Sequence, residues 1–204
     1  MNTYLGACVE LGPEDVEGQK ASGAKVAHFE GYLWNATRAK EAIRQTAMLA
    51  HAAGRKVSMT LSDSFCVEHY RDEFLQLIRS GTVDIVFANS HEIRSLYETN
   101  SFEEALAAIR QDCSIAAVTR SEKGSVIVCG NETVIIKATA IKELVDTTGA
   151  GDAYAAGFLY GYSTERSLKE CGDLGSLAAG LVIQQIGPRS SENLLREAEQ
   201  AGLL

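Results

Sequence analysis

Four strand-like runs separated by helix-like stretches fill the chain from Lys25 to Thr119, and this alternation limits the fold more than any other feature of the sequence. The first run, Val26 to Leu33, reads as a buried strand. Asn35 or Thr37 then stands where a helix cap is needed, and Ala39, Ala42, Ile43, Thr46, Ala47, Ala50 and Ala53 keep the spacing of one helix face up to Gly54. Lys56 to Leu61 gives the second strand, and a helix through Val67, Tyr70, Phe74, Leu77 and Ile78 runs to Gly81. Asp84 to Ala88 gives the third. Ser101 with Glu104 makes a capping box ahead of Ala105, Leu106 and Ile109, and Ile115 to Thr119 is the fourth. Strands that alternate with helices over short loops pair in parallel through right-handed crossovers. The expected fold is therefore α/β, a mostly parallel sheet with helices on both faces in a Rossmann-type three-layer arrangement.

Outside that region the rhythm changes. Asn2 to Leu11 reads as extended, and Gly12-Pro13-Glu14-Asp15 as a helix start with Pro at the first helical position. Ser125 to Cys129 and Glu132 to Ala138, joined by Gly130-Asn131, read as a small antiparallel hairpin. Ile141 to Val145 leads into a helix from Ala150 to Tyr162. A last long helix spans about Ser167 to Ile186 ahead of Gly187-Pro188, and Ser191 is placed to cap a short terminal one. No internal repeat, low-complexity segment or Pro/Ser-rich linker interrupts the sequence, so residues 1–204 are expected to form one domain.

The chemistry concentrates in Asp146 to Phe158, Asp-Thr-Thr-Gly-Ala-Gly-Asp-Ala-Tyr-Ala-Ala-Gly-Phe. Gly149 and Gly151 allow a sharp turn and put no side chain over the main-chain N–H groups. The first N–H groups of a helix have no internal partner and carry the positive end of its dipole, so this turn is an anion site. Asp152 places a carboxylate beside it, either as a helix cap or as a base. Donors for developing charge next to an acceptor for a hydroxyl proton are what phosphoryl transfer to an alcohol requires. A dinucleotide fingerprint would need a third glycine where Tyr154 stands, and a P-loop would need Gly-Lys-Ser/Thr, which is absent.

This thirteen-residue run resembles the C-terminal signature of the ribokinase-like, or PfkB, carbohydrate kinases, whose hallmark is Asp-Thr-x-Gly-Ala-Gly-Asp. The resemblance implies an ATP- and Mg²⁺-dependent kinase that moves the γ-phosphoryl group to a hydroxyl of a sugar or nucleoside. Asp152 would be the base, and the N–H groups of Ala150, Gly151 and Asp152, with Gly149, would hold the migrating phosphoryl. Asn89 and Glu92 match the family's Asn-x-x-Glu motif, whose Glu helps hold Mg²⁺, although an Asn cap with Glu three residues on is also a capping-box variant. Thr119 to Gly124 aligns with the family's phosphate-contacting loop, with Ser121 where the family often has Gly. Arg120 and Lys123 are phosphate contacts or solvated loop charges, and Asp63 is a turn former or an acid for metal or substrate. Ala178, Ala179, Val182 and Ile183 are the counterparts of the adenine wall, or plain core. Asp146, Thr148, Gly187 and Ser191 match positions around a K⁺ site found in some members. Leu61 to Cys66 and Thr119 to Gly124 look most like bacterial adenosine kinase-like members.

Gly6-Ala7-Cys8 and Gly12-Pro13-Glu14-Asp15 resemble an internal segment of the family. The resemblance thus implies that the N-terminal part of the family fold, with its substrate-reading residues, is missing. A truncated, non-catalytic nucleotide-binding remnant is then the alternative function, and an open sheet edge implies a homodimer or other self-association. A net charge of −8 argues against a nucleic-acid partner. Five cysteines without a Cys-x-x-Cys pair suggest neither a disulfide framework nor a zinc site. No apolar run approaches the ~18 residues of a membrane span and no signal peptide opens the chain, which is expected to be cytoplasmic.

Overall fold

The computed structural model describes residues 6–204. The expected extended run from Asn2 lies partly outside them. Where described it is a 3₁₀ turn, Gly6–Glu10, because Gly6 takes a left-handed φ of +59° that bends the chain out of an extended path. Pro13–Asp15 forms a second 3₁₀ turn in which Asp15 accepts from the Gly12 N–H at 2.9 Å. After α1 (Gly18–Gly23) the alternation follows the sequence closely: β1 Val26–Glu30, α2 Thr37–Ala52, β2 Lys56–Thr60, α3 Ser64–Arg79, β3 Ile85–Asn89, α4 Ser90–Leu96, α5 Phe102–Asp112 and β4 Ile115–Thr119. Then come the hairpin β5 Ser125–Cys129 and β6 Glu132–Ile136, α6 Ala150–Ser163, α7 Leu168–Val182 and α8 Leu194–Gln200.

The strands are hydrogen-bonded in the order β1-β2-β3-β4-β5-β6. β1 runs parallel to β2, with Val26 opposite Lys56 and Glu30 opposite Thr60. β5 and β6 pair antiparallel across Gly130-Asn131, with Cys129 opposite Glu132. The α/β expectation, a mostly parallel sheet with one small hairpin, is met. Burial explains the readable strands. β3, β4 and β5 each have four consecutive buried residues, as strands covered on both faces do, whereas the end strands β1 and β6 are largely exposed or half-buried.

Capping separates the correct boundaries from the misplaced ones. Asp63, Ser101 and Ser167 cap α3, α5 and α7, each accepting from an N–H three residues on, at 2.6, 3.1 and 3.3 Å. Only Ser167 completes a reciprocal box, with Glu170 taking its N–H at 2.9 Å; Glu104 instead accepts from Thr99. Neither Asn35 nor Thr37 caps α2: Ala36 is the cap residue, and the Asn35 side chain accepts from the Tyr70 hydroxyl at 2.7 Å. Asn193, not Ser191, caps α8. β1 also ends early, because Gly31–Asn35 winds into a 3₁₀ turn that buries Trp34 completely. α7 stops at Val182, where the Ile183 carbonyl accepts from the N–H groups of Val145 and Asp146.

The chain divides into two compact units, one of residues up to Val86 together with His91–Ile115, the other of Phe87–Ser90 together with Ala116–Leu204. In the first, buried Trp34 packs edge-on against Phe74 at 6.4 Å and donates to Glu73 at 2.8 Å, while Lys40 and Arg44 lie over its ring. Asp84 ties two strands and a helix there, accepting from Lys56 at 2.7 Å, His51 at 2.8 Å and the Val57 N–H at 2.9 Å. In the second, α6 and α7 approach through glycine. A Cβ at Gly157 would lie 2.4 Å from the Leu174 carbonyl oxygen, and one at Gly175 would lie 2.8 Å from that of Tyr154. Phe158, fully buried, meets Phe87 edge-on at 5.3 Å and locks α6 in register. These contacts fix where the N-terminus of α6 points. Among the described residues no helix is long and apolar enough to cross a membrane.

Candidate active site

The second unit carries the Asp146 turn. Gly149, the N-cap of α6, has a φ of +78°. A side chain there would be strained, and its Cβ would lie 2.5 Å from Cβ of Pro188. The Ala150 N–H closes the turn onto the Thr147 carbonyl at 3.2 Å, and the Ala153 N–H makes the first helical bond, to Gly149 at 2.9 Å. The N–H groups of Gly149, Gly151 and Asp152 donate to no acceptor among the described residues. Gly151 is exposed and a Cβ on it would meet nothing within 4 Å, so the space over those donors is open. The Asp152 carboxylate is exposed and makes no hydrogen bond or ion pair among the described residues. Unclaimed donors and a free carboxylate on one helical turn can hold an anion beside a proton acceptor.

Asp146 organises the approach to this turn. One carboxylate oxygen accepts from the Thr148 hydroxyl at 2.7 Å and its N–H at 2.9 Å, and the other accepts from the Gly187 N–H at 2.9 Å. Those bonds, the Thr148 hydroxyl first, hold its pKa below the usual carboxylate value. Gly187 has a φ of +89°. Ser191 is held by Gln185, whose side-chain oxygen accepts from its N–H at 2.9 Å and its hydroxyl at 2.6 Å. Four residues expected from the sequence, Asp146, Thr148, Gly149 and Gly187, are thus brought together, with Ser191 at the far end of the same loop. Of the expected apolar wall, Ala178 and Val182 are core, clustered with Ala153, while Ala179 and Ile183 are half-buried.

The Thr119–Gly124 loop closes on itself, with the Arg120 N–H donating to the Gly124 carbonyl at 2.7 Å. Gly124 is obligatory: its φ is +80°, and a Cβ would lie 1.9 Å from the Ile136 carbonyl oxygen. Ser121, the departure from the family pattern, sits at φ +52°, a left-handed conformation that glycine adopts freely and serine at a modest cost. The Thr119 hydroxyl donates to the Ala88 carbonyl at 3.4 Å. Asn89 ends β3.

In the first unit, Glu92 lies in the first turn of α4 and is 5% exposed, an unusual burial for a carboxylate outside a structural or functional role. Asp63 caps α3 and accepts from the Tyr32 hydroxyl at 2.8 Å, with Ser62 at φ +73° before it. Burial, then the carboxylates of Asp63 and Glu92, push the Cys66 thiol up to about 11. The same causes, with the Asp63 hydrogen bond, raise the Tyr32 hydroxyl. No sequence cue pointed to Tyr32, since a tyrosine after a strand carries no motif. None pointed to Gln185 either, whose role rests on side-chain hydrogen bonds within an irregular loop.

Residues 1–194 match the model of the pfkB family carbohydrate kinases. The chain belongs to this family. A probable sugar kinase protein from Rhizobium etli CFN 42 is 64% identical, with a TM-score of 0.99 over 100% of this chain and 62% of its own. The adenosine kinase from Sinorhizobium meliloti is 62% identical, with a TM-score of 0.97 over 98% of this chain and 62% of its own. Among curated relatives, the cytidine kinase of Thermococcus kodakarensis is 32% identical over 146 residues, 70% of this chain and 52% of that protein. This pfkB chain therefore spans less than two thirds of the length of these relatives.

Proposed function

We propose that the protein is an ATP- and Mg²⁺-dependent kinase that phosphorylates a hydroxyl of a nucleoside or sugar. The observation that carries this reading is the start of α6, where unclaimed N–H groups at Gly149, Gly151 and Asp152 open onto free space next to an unpartnered carboxylate. Phosphoryl transfer leaves little covalent work to a protein beyond positioning and charge stabilisation, and these groups supply both. The N–H donors hold the migrating phosphoryl, while Ala150 and Gly149 shape the turn. Asp152 accepts the proton of the attacking hydroxyl. Asn89, Thr119, Ser121 and Gly124 contact nucleotide phosphates, and Thr148, Ala179 and Ile183 line the nucleotide side. Adenosine is the first acceptor to test, with ribose and fructose next, since the relatives include both an adenosine kinase and a sugar kinase.

Magnesium fits the donors present, because a hard divalent cation takes oxygen ligands and Glu92 offers a carboxylate in a buried setting. When bound it neutralises phosphate charge. A monovalent cation such as K⁺ also fits: an ionised carboxylate has about four lone-pair sites, and Asp146 spends three of them on Thr148 and Gly187. Thr148, Gly187 and Ser191 would complete that shell with oxygen.

The test is product formation from MgATP with adenosine, ribose and fructose. Asp152→Asn keeps the side-chain shape but removes the proton acceptor, so kcat should fall about 10²–10⁴-fold with MgATP affinity little changed. Full activity in that variant would show that another group is the base. MgATP binding without turnover of any acceptor would favour the non-catalytic reading.

A further inference from the structure

Resting on the kinase reading, we propose that Gln185 is a positioning residue for the nucleotide site, holding residues 187–191 as a strap against the α6 turn. Two side chains pin this strap at its two ends. At Gly187 the anchor is Asp146, which accepts its N–H at 2.9 Å. At the far end Gln185 uses its whole amide: its oxygen accepts from the Ser191 N–H at 2.9 Å and hydroxyl at 2.6 Å, and its nitrogen donates to the Arg189 carbonyl. Between the anchors, Pro188 sits so close to Gly149 that no side chain fits there. The strap therefore forms one wall of the turn whose N–H groups open to the anion. It also carries Arg189, an exposed guanidinium with no partner among the described residues.

Such a wall needs a fixed end. Gly187 at φ +89° has no side chain to pack, so the Asp146 bond and the Pro188 contact alone leave residues 189–191 free to turn away from α6. Three hydrogen bonds from one glutamine remove that freedom, and displacement of a positioning element by about 1 Å can cost ~10²-fold in a site of this kind. Gln184, the preceding residue, is a matched comparison. It also makes two side-chain hydrogen bonds, to the Gly180 carbonyl at 2.8 Å and from the Lys142 N–H at 2.9 Å, but neither reaches the strap.

The experiment measures MgATP affinity by calorimetry, KM and kcat with adenosine, and amide hydrogen exchange at Ser191 and Gly187, for wild type, Gln185→Ala, Gln185→Glu and Gln184→Ala. Gln185→Ala should weaken MgATP binding and raise its KM about 10-fold or more, with a smaller effect on kcat and faster exchange at both amides. Gln185→Glu retains the acceptor for Ser191 and should recover part of the loss. Gln184→Ala should leave MgATP affinity within about twofold. Equal loss in Gln184→Ala would overturn the inference in favour of general fraying at the end of α7, and wild-type affinity in Gln185→Ala would overturn it outright. A wild-type protein that binds no MgATP would overturn the kinase reading together with it.

Discussion

Two glycines two residues apart separate what the fold needs from what a ligand needs. At Gly151 a Cβ meets nothing within 4 Å, and the residue lies inside α6 with an ordinary backbone. Gly151→Ala should therefore leave the fold intact, and alanine's better helix propensity can add up to about 0.5–1 kcal/mol of stability. Its methyl group, however, fills the space over the free N–H groups. Losing one charge-assisted hydrogen bond to a phosphate costs about 1.5–3 kcal/mol, or roughly 10–150-fold in MgATP affinity. Gly149→Ala behaves differently. It forces alanine to a φ of +78°, at about 1–2 kcal/mol, and sets its Cβ 2.5 Å from that of Pro188. Carbon atoms prefer about 3.5–4.0 Å, so Pro188 must shift by about 1 Å or more, adding roughly 1–3 kcal/mol. Urea unfolding and calorimetry on the two variants read the two effects separately. The expected pattern is lost nucleotide binding in both and lost stability only in Gly149→Ala. Wild-type affinity in Gly151→Ala would refute the placement of phosphate at α6, and wild-type stability in Gly149→Ala would refute the packing argument.

Asp84 gives a pH dependence: burial alone would raise its pKa, but the hydrogen bonds from Lys56, His51 and the Val57 N–H outweigh burial and hold it below the usual value. A depressed folded pKa means a contribution fully present above the unfolded value of about 3.9 and lost as pH falls through the folded one, so stability should drop on acidification below about pH 4 and this slope should vanish in Asp84→Asn. That variant should cost about 2–3 kcal/mol at neutral pH by urea unfolding, less than for a fully buried pair because Lys56 and His51 reach solvent; a loss under about 0.5 kcal/mol would refute the hub. Self-association, if it runs through the β6 edge where Ile135 is 72% exposed, should weaken in Ile135→Lys by sedimentation, and unchanged association would place it elsewhere.

Much of this fold was legible because its interior strands are buried on both faces and so appear as unbroken apolar runs, and because Ser101 caps α5 by local spacing alone. Asn35 and Ser191 misled for one physical reason. Each has the right side chain at a helix start, but another side chain claims it first: Tyr70, distant in sequence, for Asn35, and Gln185, on the preceding turn of chain, for Ser191. The site divides along the same line. Its backbone part was legible, since a left-handed turn and a close approach both demand glycine, and Gly124 and Gly149 meet both conditions within the chain. Gly151 meets neither. With no positive φ and no neighbour, alanine there would improve the helix, so the fold supplies no reason for glycine at that position. On the proposed kinase reading, the reason is a ligand that approaches the α6 N-terminus from outside. An anion seated on the N–H groups of Gly151 and Asp152 would meet an added methyl group directly, which accounts for the one glycine of the turn that packing leaves unexplained.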